Sequence, residues 1–205
     1  MAQITRGVRA MISTPIIYSL LQSVMGAHKS RLNFVENYVQ PFHGMKVLDV
    51  GCGPADILAY LPDVMYWGFD ISEAYIGRAR TRFGQCGQFH CKQLQSKDLT
   101  ELPRFDVVLA LGLLHHLDDA VAIDVLHLAN QALRPGGRLI TIDPCFEPSQ
   151  NPIARFLIRS DRGQNVRDKA GYEALACNAF SSPRVEVRHQ AWIPYTHCIM
   201  SCEKT

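Results

Sequence analysis

The chain has 205 residues, of which 47% are hydrophobic and 20% are charged, and this composition predicts one globular domain with its own core. A formal charge of +2 and a pI near 8.2 are too mild to predict a nucleic-acid-binding surface. The seven cysteines form no repeated Cys-x-x-Cys pair, which favours reduced thiols over a disulfide framework or a metal site. No apolar run is long enough to span a bilayer, so we expect no membrane span and a cytoplasmic protein.

Apolar residues recur at helical spacing between Pro15 and Gln40, and Gly26 divides this region into two predicted helices. We expect residues 1–42 to form a helical lid over the rest of the domain. Residues 1–35 contain basic residues and no acid, as transit peptides do, but no small-residue cleavage pattern accompanies them. A helical segment of the mature fold is therefore the favoured interpretation.

Strands and helices alternate between residues 43 and 144, the predicted cofactor-binding core. Strands such as DVVLAL are apolar on both faces, which is typical of a parallel sheet buried between helical layers. In chain order the predicted elements are strand KVLDV, helix ADILAYL, strand VMYWGFD, helix SEAYIGRARTRF, strands QFHC and FDVVLAL, helix DDAVAIDVLHLANQAL and strand RLITID.

The pattern changes after Pro144. Residues 145–182 contain two helical segments, NPIARFLIRS and GYEALACNAF, joined by a polar stretch. Residues 183–205 contain two strand-like segments, RVEVRHQ and YTHCIMSCE, separated by AWIP. A short link between two strands predicts an antiparallel hairpin at the edge of the sheet. We expect residues 1–205 to form a single domain.

The first core strand runs into two glycines. In VLDVGCGPAD, Gly51 and Gly53 permit backbone conformations and a close approach of a ligand that side chains would obstruct. A dinucleotide-binding turn has a third glycine three residues after the second, and here Asp56 stands at that position. The turn by itself is weak support for any particular ligand.

The second strand ends at Asp70, about twenty residues beyond the turn, where an acid accepts hydrogen bonds from both hydroxyls of a ribose. The alternative is that Asp70 caps the helix that follows, a role for which Ser72 competes. With the glycine turn upstream, ribose binding is favoured. The two features together imply adenosine without implying a pyrophosphate.

Four segments in this order, VLDVGCGPAD, WGFDIS, FDVVLALGLLHHLDD and LRPGGRLITID, resemble the motifs of class I S-adenosylmethionine-dependent methyltransferases, and their region covers about half of the chain. The resemblance implies a Rossmann-like α/β fold with a seven-stranded, mostly parallel sheet, helices on both faces and a C-terminal antiparallel hairpin. It also implies S-adenosyl-L-methionine as the cofactor. The residues at the matching cofactor-binding positions are Asp49, Gly51, Cys52, Gly53, Asp70, Ile71, Asp98, Leu99 and Leu111.

The contact to the adenine has two candidate positions. Family members carry an acid and a following residue in a GDAxxLP-like stretch, which places Asp98 and Leu99 of KDLTELP there. The distance from QFHC is longer than is usual in the family, so Gln93 or Leu94 is the alternative. Asp98 is equally well explained as part of a solvated loop.

A nicotinamide-dependent oxidoreductase is the competing nucleotide-binding interpretation. Its glycine turn cradles a pyrophosphate, beside which the bulk and negative charge of Asp56 are unfavourable. S-adenosylmethionine has no phosphate, so an acid at this position is tolerable. Asp56 therefore favours the methyltransferase.

Two histidines follow the fourth strand, at the end of the sheet where cofactor and acceptor are expected to meet. His115 or His116 is suited to act as a base toward a hydroxyl, because imidazole titrates near neutral pH. A histidine pair at this turn is common in the resembled family among members with different acceptors, so packing is the alternative. Asp143, at the end of the fifth strand, either faces the pocket or caps the following segment.

The segment IRSDRGQNVRDKAGY lies where the resembled family builds its acceptor pocket. Guanidinium groups bind carboxylates and phosphates, so Arg162 and Arg167 are candidate ligands for an anionic small molecule, together with Tyr18 of the lid. The alternative is a solvated loop in which Asp161 and Asp168 pair with these arginines.

The absence of two motifs limits the class of methyl acceptor further. ALGL follows the fourth strand in place of the Asn/Asp-Pro-Pro-Tyr/Phe tetrad that the family uses on amino groups of bases and on amides. No interleaved basic and aromatic residues suggest an RNA groove. We therefore expect a small-molecule acceptor, with oxygen preferred over nitrogen or carbon, and no nucleic acid. A methyltransferase-like scaffold that binds the cofactor without turnover is the alternative from another class.

Overall fold

The computed structural model describes residues 27–160, 163–190 and 195–205. In these ranges the helices are α1 (Ala27–Phe34), α2 (Glu73–Phe83), α3 (Asp119–Ala132), α4 (Pro152–Arg159) and α5 (Lys169–Ala176). The strands are β1 (Lys46–Val50), β2 (Met65–Asp70), β3 (Gly87–Cys91), β4 (Phe105–Leu111), β5 (Leu133–Phe146), β6 (Arg167–Asp168), β7 (Arg184–Gln190) and β8 (Tyr195–Glu203).

The described strands form one sheet in the order β3-β2-β1-β4-β5-β8-β7. The first five run parallel, whereas β8 is antiparallel to both of its neighbours, β5 and β7. The predicted parallel sheet with a closing antiparallel hairpin is therefore confirmed. The two-residue strand β6, which the sequence pattern did not predict, adds to the carboxyl end of β5.

Helices cover both faces of the sheet. On one face α3 and α5 contribute Leu126 and Tyr172 to a buried cluster. On the other face α2 contributes Ile76, and the π-helix Val35–Val39 that continues α1 contributes Val39. Because both faces of the central strands are buried, their sequences are apolar throughout, as expected for a parallel sheet between helices.

Two parts of the core differ from the sequence prediction. The helix expected over ADILAYL is a five-residue 3-10 helix, Asp56–Tyr60. Strand β5 begins five residues before the predicted RLITID and continues three residues beyond it, so Asp143 lies inside the strand and does not cap the next helix. Asn151 caps α4 instead, by accepting a hydrogen bond from the backbone N–H of Ile153.

The predicted lid is described only from Ala27 onward, where α1 packs near the 3-10 helix through the His28 and Tyr60 side chains. The first predicted lid helix and Tyr18 lie outside the described residues. No helix in the described ranges is long and apolar enough to cross a membrane. The proposed boundaries within the domain stay predictions.

The order of the strands fixes where a ligand binds. From β1 the chain forms β2 and β3 on one side of β1, and it then returns to form β4 and β5 on the other side. The order in which strands are added to the sheet therefore reverses between β1 and β4. In open parallel sheets a crevice forms at such a reversal, beyond the carboxyl ends of the strands. Most of the predicted cofactor-binding residues lie at the carboxyl ends of β1, β2 and β4 or directly after them, whereas Asp98 and Leu99 follow β3.

Helix α3 offers a test of local stability. The Asp118 carboxylate accepts a hydrogen bond of 3.0 Å from the backbone N–H of Val121 and so caps the helix. Asp118→Ala should lower the free energy of unfolding by about 1 kcal/mol, whereas Asp118→Asn should change it by only a few tenths of a kcal/mol because Asn caps equally well. Urea unfolding measures both. An equal loss for the two variants would show that the cap is not the cause.

Candidate active site

The glycine turn is bound to the end of the neighbouring strand. Gly51 and Gly53 have φ angles of +73° and +54°, in the left-handed region that favours glycine. The backbone N–H groups of Gly51 and Cys52 both donate to the carbonyl oxygen of Phe69, at 2.8 and 3.0 Å. These hydrogen bonds fix the turn relative to β2. The backbone conformation of the turn requires glycine at positions 51 and 53.

The Asp70 carboxylate joins the turn to the start of α2. One of its oxygens accepts from the Gly53 backbone N–H at 2.9 Å, and the other accepts from the Ser72 backbone N–H at 2.7 Å. Ser72, and not Asp70, caps α2 through its hydroxyl oxygen. Each carboxylate oxygen has a second lone pair for a hydroxyl donor. The arrangement fits the two hydroxyls of a ribose.

Asp49 is a buried acid with an incomplete set of hydrogen bonds. The Tyr66 hydroxyl donates to Oδ2 at 2.6 Å, while Oδ1 has no hydrogen-bond partner among the described residues. Burial raises the pKa of Asp49 from 3.8 to about 7; the Tyr66 hydrogen bond opposes this shift, and the Asp70 charge adds to it. A buried carboxylate in this state is stabilised by a nearby cation or hydrogen-bond donor. The ammonium group of an amino acid meets that need.

Cys52 packs between the two acids. Its side chain is buried, and burial raises the pKa of its thiol well above the usual range, with Asp49 and Asp70 contributing in the same direction. The thiol therefore stays protonated, which excludes it as a nucleophile. Gly68 leaves room for it, because a Cβ at Gly68 would lie 2.8 Å from the Cys52 sulfur.

Apolar side chains border the turn. Ile71 follows Asp70 and is 69% exposed, and Leu111 at the end of β4 is half-buried. Leu113, which the sequence did not single out, lies over Gly51: a Cβ on that glycine would be 2.8 Å from a Leu113 methyl carbon. These side chains form an apolar border beside the turn.

The two candidate adenine positions differ in their surroundings. Asp98 lies in a 3-10 helix, where it pairs with the Lys92 ammonium at 2.7 Å and accepts from the Gln95 backbone N–H at 2.9 Å. The hydrogen bond from Lys92, followed by that from Gln95, lowers the pKa of Asp98. Leu94 is buried in the core. Gln93 is exposed, so its polar side chain stays a candidate for the adenine contact.

His115 and Asp143 form a buried pair. His115 Nδ1 lies 2.8 Å from Asp143 Oδ1, and the His115 backbone N–H donates to the same oxygen at 3.1 Å. In the tautomer in which Nδ1 donates to the Asp143 carboxylate, the ring lone pair is on Nε2. The two side chains are 6% and 1% exposed. Asp143 Oδ2 has no hydrogen-bond partner among the described residues.

The segment after α4 holds the histidine turn in place. The Asn165 backbone N–H donates to the His115 carbonyl oxygen at 3.0 Å. Gly163 lies against the His115 ring so closely that a Cβ there would be 2.0 Å from its Cδ2 atom. Residues 163–165 therefore fix the orientation of His115. His116 is exposed, and its ring centroid lies 4.0 Å from that of His115.

Arg167 does not have the environment predicted for a substrate ligand. Its guanidinium makes two contacts to Asp119 Oδ1, at 2.9 and 2.6 Å, and donates to the carbonyl oxygens of Leu114, Leu117 and Asn165. These contacts use all five of its N–H donors. The acid that pairs with Arg167 is Asp119 at the start of α3, whereas Asp168 caps α5 and Asp161 lies outside the described residues. Arg162 lies outside the described residues.

The structure adds residues that the sequence did not indicate. Tyr66 contacts Asp49 from the adjacent strand, and Gly163 and Asn165 reach His115 from a segment about fifty residues away in the chain. Only the spatial arrangement of the strands and loops shows these contacts. In the described ranges no cluster of three or more His, Cys, Asp or Glu side chains could hold a metal ion.

The comparisons with known proteins agree with this geometry. A family profile described as a methyltransferase domain matches residues 48–139. The 27-O-demethylrifamycin SV methyltransferase of Amycolatopsis mediterranei (strain S699) is 40% identical over 113 residues, which cover 52% of this chain and 41% of that protein. The O-methyltransferase cnsE of Penicillium expansum is 32% identical over 160 residues, covering 67% and 55% of the two chains.

A further curated relative has a nucleic-acid substrate in its name. The tRNA U34 carboxymethyltransferase of Pseudoalteromonas translucida (strain TAC 125) is 29% identical over 136 residues, covering 64% of this chain and 41% of that protein. Our chain spans about half the length of the curated relatives it matches. Among solved structures, the S-adenosylmethionine-dependent methyltransferase SibL in its apo form has the same fold, with a TM-score of 0.72, 17% identity and coverage of 99% of this chain and 63% of that one.

The matched methyltransferase domain, the methyltransferase relatives and the shared fold support a class I S-adenosylmethionine-dependent methyltransferase. S-adenosyl-L-methionine is the cofactor of that family. The structure fits it, since Asp70, the incompletely bonded buried acid Asp49 and the glycine turn meet at one edge of the sheet. The nicotinamide-dependent alternative has no support.

Asp49 supplies a pH-dependent prediction. A carboxyl group whose pKa is higher in the folded chain contributes stability below its unfolded value of 3.8, and this contribution is lost as pH rises through about 7. Asp49→Asn keeps an acceptor for Tyr66 but has no charge to bury. Its stability relative to the wild type should therefore rise by about 2 kcal/mol between pH 5.5 and pH 8.5.

Urea unfolding of both proteins at the two pH values measures this difference. Asp124→Asn, on an exposed position of α3, is the matched control and should show no comparable change with pH. A constant difference between Asp49→Asn and wild type would contradict the raised pKa.

Proposed function

We propose that this protein transfers the methyl group of S-adenosyl-L-methionine to a hydroxyl group of a small molecule. The observation that carries the proposal is the buried pair of His115 and Asp143 next to the cofactor turn. Leu113, two residues before His115, lies over Gly51 and so connects the two parts of the site. Curated relatives named as O-methyltransferases support the same reaction.

Three groups of this chain are suited to hold the cofactor. The Asp70 carboxylate would accept hydrogen bonds from the ribose hydroxyls, and Asp49 Oδ1 would accept one from the methionine ammonium. The turn itself suits a ligand without phosphates. The 3-10 helix after it has five residues, too few for a strong helix dipole.

The bound sulfonium would supply an electrophilic methyl group. The role of the protein is then to hold the acceptor oxygen in line with that group and to remove its proton. We assign proton removal to Nε2 of His115, which has the lone pair when Nδ1 is held by Asp143. Asp143 fixes the tautomer and stabilises the positive charge that His115 gains. Of the two predicted histidines, His115 is the buried one, and its Nδ1 lies beside Asp143.

The acceptor is proposed as a small molecule with a hydroxyl group, on the basis of the O-methyltransferase names of the relatives. The earlier expectation of an anionic acceptor loses one of its candidate ligands, because Arg167 uses its donors within the protein. Arg162 and Tyr18 keep their predicted roles as hypotheses. The exclusion of nucleic acid and the cytoplasmic localisation also stay predictions.

Cofactor binding tests the ribose contact. Asp70→Ala should weaken binding of S-adenosylhomocysteine by about 10- to 100-fold in calorimetry, because hydrogen bonds to a charged group are worth about 1.5–3 kcal/mol each. Asp56→Asn is the matched control in the same turn: its carboxylate pairs with Arg82 and Arg31, so its loss should leave binding nearly unchanged. Equal affinity for Asp70→Ala and wild type would reject the ribose assignment.

Turnover tests the catalytic pair. With phenolic and alcoholic acceptors as a panel, formation of S-adenosylhomocysteine should fall by about 10²- to 10⁴-fold in His115→Gln, which loses the base. Asp143→Asn should lower kcat at least ~10-fold by disturbing the tautomer. His116→Gln is the control and should retain most of the activity. Cofactor affinity, measured on the same samples, should stay close to wild type in all three.

Two outcomes would redirect the assignment. Tight cofactor binding without product from any acceptor would favour the scaffold alternative. Full activity in His115→Gln would show that positioning alone is sufficient and that the histidine has a packing role.

A further inference from the structure

Arg167 lies between the strand that carries Asp143 and the turn that carries His115. Its backbone belongs to β6, which pairs with β5 from the second residue beyond Asp143 onward. Its guanidinium donates to the carbonyl oxygens of Leu114, at 3.0 Å, and Leu117, at 2.8 Å, the residues before and after the histidine pair. One residue therefore joins the two elements that bring His115 and Asp143 together.

The histidine turn, residues 114–117, needs hydrogen-bond donors from outside itself. Its 3-10 helix has three residues, and the last carbonyl groups of so short a helix have no partner within it. The Asn165 backbone N–H donates to the His115 carbonyl oxygen at 3.0 Å, and Arg167 Nη1 donates to the Asn165 carbonyl oxygen at 2.8 Å. The Arg167 side chain thus holds both the turn and the segment that covers it.

A second set of contacts connects Arg167 to β5. The guanidinium carbon lies 5.9 Å from the centroid of the Tyr172 ring, within the range of a cation–π contact. Tyr172 is buried, and its hydroxyl donates to the Pro144 carbonyl oxygen at 2.9 Å. Since Pro144 directly follows Asp143, these contacts reach the part of β5 that holds the His115 ring.

Asp119 orients the guanidinium. Its Oδ1 atom accepts from Arg167 Nε at 2.9 Å and from Nη2 at 2.6 Å. The Asp119 side chain is 76% exposed, and an ion pair with so exposed a partner adds little to stability. Its geometric effect is larger, because the guanidinium is a rigid planar fork. Fixing one edge of that fork directs its other N–H groups at the carbonyl oxygens of the histidine turn.

We propose that Arg167, oriented by Asp119, is a positioning residue for His115. It holds the histidine turn at the distance from β5 at which Nδ1 reaches the Asp143 carboxylate, and it thereby sets the direction of Nε2. The inference rests on the proposed function, in which Nε2 removes the proton of the acceptor. A base must lie within hydrogen-bond reach of that proton, so a small displacement of the turn lowers the rate without weakening ligand binding.

Lysine at position 167 tests the shape of the side chain separately from its charge. An ammonium keeps the positive charge, but it has three donors in place of five and no planar fork. Arg167→Lys should lower kcat at least ~10-fold toward the most reactive acceptor of the panel. The KM of the acceptor and the affinity for S-adenosylhomocysteine should stay within about threefold of wild type, because no ligand contact is removed.

Arg134→Lys is the matched control. Arg134 also donates to an aspartate, Asp106, and to a main-chain carbonyl oxygen, that of Pro135, but it lies near the amino ends of β4 and β5. This variant should keep the kcat of the wild type. An equal fall of kcat in Arg134→Lys and Arg167→Lys would overturn the proposal.

A double variant separates positioning from general damage to the site. If Arg167 acts through His115, its replacement has no further effect once the base has been removed. The residual kcat of His115→Gln should therefore change less than about twofold when Arg167→Lys is added. The same fall in the wild-type and His115→Gln backgrounds would overturn the proposal, because it would mean that Arg167 supports the site without acting on the histidine.

Nuclear magnetic resonance reports the position of the His115 ring without any reaction. In isotope-labelled protein, an Nδ1–H group that donates to the buried Asp143 carboxylate should give a proton signal far downfield, and its loss in His115→Gln assigns it. Arg167→Lys should shift or broaden this signal, whereas Arg134→Lys should leave it unchanged. A signal that Arg167→Lys leaves unchanged would overturn the proposal.

Asp119→Ala provides a second variant if thermal unfolding shows that Arg167→Lys does not fold. It alters an exposed position, and it should shift the same signal and lower kcat several-fold by releasing the guanidinium. No change in either quantity would overturn the proposal. Full activity of His115→Gln would instead reject the proposed base and with it the catalytic purpose of the positioning. An inactive His115→Gln with an unchanged signal in Arg167→Lys would reject the role of Arg167 alone, so the two failures are distinguishable.

Discussion

The active edge of this domain depends on the hydrogen bonds that tie the glycine turn after β1 to the end of β2. Two backbone N–H groups of the turn converge on the Phe69 carbonyl oxygen, and the Asp70 carboxylate bridges Gly53 to Ser72. The tie requires left-handed backbone at both glycines, since the turn must reverse sharply while its amides point back toward β2. The same carboxylate that closes the turn is the one that a ribose would contact. Ligand binding and the local fold therefore use one group.

Two acids of the sheet, Asp49 on β1 and Asp143 on β5, are buried. Each accepts hydrogen bonds with one carboxylate oxygen and leaves the other without a partner among the described residues. Burial of an incompletely bonded carboxylate costs free energy, and a domain selected for stability alone would not keep two of them. The arrangement makes sense if Asp49 binds a cationic part of the cofactor and Asp143 holds a histidine that becomes charged during the reaction. The free-energy cost of burying these two carboxylates then belongs to the function of the site.

The sequence predicted the strands, their parallel arrangement and the closing hairpin with small errors at the ends, because buried strands and their connections leave a strong periodic signal. It was wrong where a local pattern was overridden by the surroundings. ADILAYL has helical periodicity, yet it folds as a short 3-10 helix between the glycine turn and β2. Arg167 has the sequence context of a loop arginine, yet it is enclosed by carbonyl oxygens of the histidine turn and by Asp119. Neither partner is near it in the chain, so no local pattern could have indicated them.

What the sequence determined by itself is the fold class, the glycine turn and the acid at the end of β2, because each depends on backbone conformation and on spacing within a few residues or one strand-helix unit. The order of the four motifs was sufficient to indicate the family and its cofactor. Only the tertiary structure showed that His115 is buried beside Asp143, that Asp49 and Asp143 each have one oxygen without a hydrogen-bond partner among the described residues, and that Arg167 is engaged within the protein. The contacts of His115 and Arg167 depend on the pairing of β4 with β5 and on the hydrogen bonds that join residues 165–167 to the histidine turn. Such contacts join residues about thirty to fifty positions apart, a distance over which sequence pattern carries no geometric information.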